Sequence, residues 1–266
     1  EVPPGAVRLA VDRLVVRGAR GRPVVRGVTL QVSGGEIYGI AGVQGNGQTE
    51  LVEALVGLRP ITDGTVRVDG EDVTGATVRA IRLLGLAHIP EDRHRRGLVL
   101  PMETRENLIL GHHHRAEVTN GPLLDQAAID AFAQERIGTY DIRVPATATP
   151  ALALSGGNQQ KVIVAREFAF NPRVLVAAQP TRGLDIGATE FVEQQLMEAK
   201  GQGMAVLLVS ANLDEVLTLA DRVGVMYRGE LVAEFRRGET TPQELGLYMT
   251  GTKQAGRDGG VAEPPA

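Results

Sequence analysis

Cysteine is missing from the 266 residues, so no disulfide framework supports the fold and nothing suggests secretion. No N-terminal stretch joins a basic segment to a long apolar run, and a cytosolic location is the expectation. Also lacking are the roughly 20 consecutive apolar residues that a bilayer-spanning helix needs. The longest apolar runs, such as 204–209, are strand-sized, so membrane association has to come through a partner. Positive charge is not in excess, the formal net charge being −4, which argues against a nucleic-acid partner. Lysine is limited to Lys161, Lys200 and Lys253, a compositional bias toward arginine without functional meaning. The chain opens on Glu1 rather than Met, and a strand pattern begins within its first ten residues; the expectation is a piece of a longer polypeptide.

What is present is a hydrophobic content of 43%, enough for one large α/β domain or two small ones. Apolar patterning predicts strands over 7–16, 28–32 and 36–42, the last running into a glycine-rich loop at 42–47, and a helix over 49–56. A strand over 64–68 followed by Asp69-Gly70 predicts a hairpin, and 86–89 predicts another short strand. From 103 to about 159 the strand signal disappears. Helices predicted over 105–114 and 124–137 lead there to a third that begins near Ser155, and together they form a helical insertion. Strand-like runs at 174–178, 204–209 and 223–227 then alternate with helices over 188–200 and 214–219, the pattern of a parallel sheet with crossovers. The tail beyond 251 is rich in Gly, Pro and Ala and is expected to be disordered.

Two motifs carry chemistry. Gly42-Val43-Gln44-Gly45-Asn46-Gly47-Gln48-Thr49 fits G-x-x-x-x-G-K-[ST] between a strand and a helix, except that Gln48 stands where lysine belongs. Glycines let successive backbone N–H groups converge on phosphate oxygens, the helix start adds partial positive charge, and Thr49 offers a hydroxyl for Mg²⁺. The full cation is absent, so an ordinary tight strand-to-helix turn stays open as a reading. Leu154-Ser155-Gly156-Gly157-Asn158-Gln159-Gln160 is more specific. Ser155 can cap a helix whose first turn holds two glycines and no acid, leaving a bare N-terminus open to an anion. A mere cap would not call for paired glycines, which cost roughly 1 kcal/mol each in a helix.

Leu154–Gln160 resembles the signature motif of the ATP-binding-cassette (ABC) family, and Pro180-Thr181-Arg182-Gly183-Leu184-Asp185 the stretch that joins its Walker B strand to the D-loop; the order of phosphate loop, helical insertion, signature, Walker B and D-loop resembles that family over roughly residues 8–250. The stretches 40–48, 89–93 and 184–188 are similar to the second cassette of tandem ATPases in sugar and nucleoside importers, and Ala177-Ala178-Gln179 leans toward the nucleoside branch. The resemblance implies one nucleotide-binding domain at 1–250. Its parts are an α/β, RecA-like P-loop NTPase core, an antiparallel β subdomain and a helical subdomain at about 103–165.

It also implies departures from a working site. The Walker B aspartate falls at Ala178, the water-activating glutamate at Gln179, the switch histidine at Ala211 and the Q-loop glutamine at Glu91, while the adenine-stacking aromatic is absent near Val16 and Arg17. Gly42, Gln44, Gly45, Asn46, Gly47, Gln48, Thr49 and Glu91 are the implied nucleotide contacts, with Thr49 the implied metal ligand and Glu91 able to touch Mg²⁺. ATP and Mg²⁺ are implied as cofactors, held weakly or not at all at this domain's own site. Losing one electrostatic element typically costs about 10²–10³ in rate, so intrinsic hydrolysis is expected to be negligible.

Because the family's cassettes pair head to tail, Leu154, Ser155, Gly156, Gly157, Asn158 and Gln159 are expected to face ATP held by a competent cassette of the same polypeptide or subunit, with Asp185 in the D-loop. Transmembrane permease subunits, and indirectly a substrate-binding protein, are the other implied partners, which puts the chain at the cytoplasmic face of the plasma membrane. A P-loop kinase or free-standing NTPase would need the missing lysine and aspartate and leaves 154–160 unexplained. A soluble, non-transport ABC regulator explains both motifs. A scaffold that never touches nucleotide stays open as well.

His112-His113-His114 is expected to be solvated surface, since adjacent positions on a helix point about 100° apart and cannot grip one ion. Glu91-Asp92-Arg93 with His94-Arg95-Arg96 reads as a polar surface turn or, through the resemblance, as a permease contact.

Overall fold

The computed structural model describes residues 5–253; the expected disordered tail lies, from 254 onward, outside them. β1 (Val7–Arg17) turns Leu9 and Val11 inward, then Leu14 and Val16. The inward set moves from odd to even positions because a bulge, with Arg13 at φ 45°, adds a residue to the strand. β2 (Pro23–Ser33) and the wholly buried β3 (Ile37–Ala41) follow, then α1 (Gln48–Leu55). β4 (Asp63–Val68) and β5 (Glu71–Asp72) form the Asp69-Gly70 hairpin; both turn residues have positive φ, as a two-residue hairpin requires. After α2 (Val78–Leu83) and β6 (Leu86–Ile89), one π-helical turn covers Arg93–Gly97.

α3 (Thr104–Leu108), β7 (Thr119–Asn120), β8 (Leu123–Leu124), α4 (Gln126–Thr139) and α5 (Gly156–Phe168) occupy the stretch read as helical. β9 (Val174–Ala178), α6 (Ile186–Gly201), β10 (Ala205–Ser210), α7 (Leu213–Leu219), β11 (Arg222–Tyr227), β12 (Glu230–Arg236) and α8 (Pro242–Met249) complete the described chain.

Among the described residues, β2-β1-β4-β5 make an antiparallel sheet and β12-β11-β3-β10-β9-β6 a six-stranded one, parallel except for β12. Successive side chains of β9 and β10 enter opposite cores. Leu175, Ala177, Val206 and Leu208 join Leu108, Ile163, Val192 and Leu196 from the helices. Val174, Val176, Leu207 and Val209 join Leu51 and Leu55 of α1 and Leu9 and Val11 of the antiparallel sheet. Strands covered on both faces read as continuous apolar runs, which is why these two were predicted. The carboxyl ends of β3, β9 and β10 lie side by side and deliver residues 42, 178–179 and 210–211 to one edge, where open α/β sheets bind ligands.

Three expectations change. The helix expected over 105–114 stops at Leu108, because turns and a left-handed Gly111 (φ 83°) follow. The stretch without strand signal contains the small β7–β8 hairpin. His112 is not solvated surface: it is buried against the Phe170 ring, with centroids 4.2 Å apart, and its Nε2 lies 2.7 Å from Arg82 Nη2. Burial, then the Arg82 charge, pushes its pKa down to about 3. Arg82 also pairs at 3.0 Å with Glu167, which takes a 2.8 Å bond from Arg166 and one from the His88 amide. Burial alone would raise the Glu167 pKa, but these two guanidinium groups prevail and hold it well below the carboxylate range.

Candidate functional site

The loop between β3 and α1 has the backbone of an anion cradle. Gly45 (φ 93°) and Gly47 (φ 106°) are left-handed, and a Cβ on Gly47 would collide with the Val24 carbonyl. Gly47 caps α1 without a side-chain bond, so the first helical N–H groups remain available. Asn46 ties the loop together. Its Nδ2 donates to Val43 O at 3.0 Å and its Oδ1 accepts from Arg228 N at 2.9 Å. Gln48 is buried and folds back, Nε2 donating to Val43 O at 3.2 Å, while its Oε1 has no hydrogen-bond partner. A lysine would place its charge here; the amide only braces the loop.

Glu91 closes the loop's mouth. Its Oε1 accepts from Gln44 Nε2 at 3.1 Å and Arg182 Nη1 at 2.6 Å, and its Oε2 accepts from Thr49 Oγ1 at 3.4 Å. Beside it, at the ends of β9 and β10, Ala178 contributes a methyl group. Gln179, strained at φ 48°, accepts from the Ala211 amide at 3.3 Å through Oε1. The positions that the resemblance assigns to the water-activating glutamate and the switch histidine are thus joined by a neutral hydrogen bond, and neither side chain can take a proton. Behind them, Thr181 Oγ1 donates at 2.8 Å to Glu215, whose pKa burial raises.

The glycine cradle and the Thr49 hydroxyl present donors of the kind that a phosphate group takes. Mg²⁺ fits less well, since Ala178 and Gln179 offer no carboxylate, and no group of three or more His, Cys, Asp or Glu side chains suited to a metal occurs among the described residues. The run 112–114 lies on turns and not on a helix as expected.

The Ser155 helix start is capped by a neutral side chain. Ser155 is exposed and caps α5, its Oγ accepting from the Asn158 amide at 3.4 Å and from Asn158 Nδ2 at 2.9 Å. No acid occupies the first turn. Gly157 is closely packed, since a Cβ there would lie 3.0 Å from Ala188 Cβ. Asp185 caps α6 through the Ala188 amide at 2.9 Å, so the two helix starts stand together.

A family model described as ABC transporter matches residues 25–182. The chain belongs to the ABC transporter family. It is 46% identical to the guanosine import ATP-binding protein NupO of Bacillus subtilis over 97% of this chain and 51% of that protein. It is 42% identical to the nucleoside import ATP-binding protein NupA of Lactococcus lactis over 93% of the chain and 49% of the relative. With the ribose import ATP-binding protein RbsA of Shouchella clausii it shares 35% identity over 94% of the chain and 49% of the relative. The chain therefore spans about half the length of the curated relatives it matches. Among solved structures, a nucleotide-free ATP-binding cassette from an ABC transporter superposes with a TM-score of 0.74 at 21% identity, covering 91% of this chain and 98% of that one; the fold is shared.

ABC ATPase domains generally bind ATP with Mg²⁺. The fold of this chain brings Gly42, Gln44, Gly45, Gln48, Thr49, Glu91, Ala178 and Gln179 around a single cavity and holds Ser155–Gln159 away from it on the α5 start. Val16, read as a position for a stacking aromatic, is core. Arg182 escaped the sequence reading as a site residue. Its one signal was membership of the 180–185 motif, while the contact with Glu91 spans 91 positions that only the fold closes.

Proposed function

We propose that this chain is a nucleotide-binding domain of an importer for nucleosides or simple sugars, and that it donates its signature helix to ATP held by a competent partner cassette. Its own phosphate loop hydrolyses poorly or not at all. The observation that carries this reading is the pairing of an intact, exposed, uncharged α5 start with a β9–β10 edge that presents Ala178, Gln179 and Ala211. The relatives' names, which span guanosine, nucleoside and ribose import, support the substrate class. A relative twice as long accommodates a sister cassette.

Under this reading the partner cassette lies in the same polypeptide or subunit, and the pair sits on transmembrane permease subunits at the cytoplasmic face, served indirectly by a substrate-binding protein. No described helix is long and apolar enough to cross a membrane. Gly42 to Thr49 and Glu91 then line a silent second site for Mg-nucleotide, and Asp185 orients the D-loop. The test is ATPase activity of the full-length subunit. Ser155→Arg, which fills the anion-facing helix start, is expected to abolish turnover, and Gln48→Ala to leave it nearly unchanged. The reverse order rejects the reading.

A further inference from the structure

The mouth of the phosphate loop already holds an anion, and it belongs to the chain itself. Glu91 takes one bond each from Gln44, Thr49 and Arg182, donors of the kind that a terminal phosphoryl group uses at such a loop. The cavity over the loop, bounded by Gly42, Gly45, Gln48, Thr49 and Glu91, measures about 20 Å³. On a scale where one water needs roughly 10–15 Å³, little free space remains at the loop while Glu91 occupies its mouth. Immediately beyond lies a cavity of about 350 Å³, also bounded by Gln44, Thr49 and Glu91 and reached by Arg182. The Glu91 side chain lines both.

Arg182 is well placed to change partners. Its backbone is fixed, because Arg93 donates to the carbonyls of Arg182 at 2.9 Å and Gly183 at 3.3 Å, whereas its own side chain is 57% exposed. An ion pair this wet is weakly held and readily exchanged. A guanidinium is suited to phosphate, which it can grip with two parallel N–H bonds.

We propose that Glu91 is an internal competitor at the terminal-phosphate position, and that Arg182 is the cation that receives a nucleoside triphosphate there when Glu91 withdraws, in place of the lysine absent at Gln48. This rests on the proposed function only in placing the phosphates of a nucleotide on this loop.

The test is calorimetric titration of the 266-residue chain with ATP in EDTA, which keeps metal out of the comparison. Glu91→Ala and Glu91→Gln are both expected to bind at least tenfold tighter than the parent chain. Arg182→Ala is expected to cancel that gain in the Glu91→Ala background and to give no gain alone. The proposal is overturned if neither Glu91 variant binds tighter, if neither shows measurable binding, or if the double variant binds as tightly as Glu91→Ala. Because nothing is turned over in this assay, such a failure leaves signature donation standing, and loss of signature donation in the Ser155→Arg assay leaves this titration interpretable.

Discussion

His94 Nε2 lies 2.9 Å from Gln159 Oε1, and Gln159 spends its amide nitrogen on the Ala151 carbonyl at 3.0 Å, so the imidazole is the donor. The bond joins the π-helical turn after β6 to the first turn of α5, and Arg93 extends the link to the turn before α6. His94→Ala strands the Gln159 oxygen in a buried environment, which is expected to cost about 1–3 kcal/mol by urea unfolding. Hydrogen exchange should accelerate over 155–160 and leave β10 unaffected.

Restoring the missing cation separates binding from chemistry. Gln48→Lys adds a charge-assisted contact to phosphate and is expected to tighten MgATP about tenfold, about 1.4 kcal/mol, by calorimetry. Turnover should stay at background, because Ala178, Gln179 and Ala211 are unchanged.

The two left-handed glycines of the loop differ in their surroundings. A Cβ on Gly45 would meet open space, while one on Gly47 would strike the Val24 carbonyl and approach Met226 Cε at 2.9 Å. Gly45→Ala is expected to lose about 1 kcal/mol from backbone conformation alone. Gly47→Ala should lose more, on the order of 2–4 kcal/mol, because α1 must shift off β2. Thermal unfolding of the pair checks the ranking.

Acid should weaken the fold before ordinary carboxylates titrate. His112 is neutral in the fold, its pKa lowered to about 3 from 6.5, so the unfolded chain binds the extra proton between those values. Stability therefore falls as pH drops through 6.5, at up to about 1.4 kcal/mol per pH unit for one such group. His88, lowered by burial, adds in the same direction. Glu167, lowered as well, adds its loss below the unfolded carboxylate value. Urea unfolding between pH 7.5 and 5 should show the slope, and His112→Gln should reduce it.

The parts legible in the sequence were those for which chemistry or burial dictates residue type at a set spacing. The loop 42–49 and the Ser155 helix stood out because backbone approach to an anion demands glycine, and β9 and β10 because strands covered on both faces are apolar throughout. β12 was missed: it is half-buried, so its alternation is weak, and its place is decided by pairing with β11. α8 was missed as well, although its Thr241 cap and Pro242 are a readable helix start. The burial of His112 could not be read, because it depends on Arg82 and Phe170 arriving from elsewhere in the chain. The bracing of the loop mouth by Arg182 and of α5 by His94 escaped for the same reason.

Under the proposed function this cassette presents a signature surface to a partner and has no hydrolytic chemistry of its own. Steady-state MgATP turnover by the purified 266-residue chain tests this most directly. Turnover is expected at the level of buffer and unchanged by Thr49→Ala. Brisk, Mg²⁺-dependent hydrolysis that Thr49→Ala removes would contradict it.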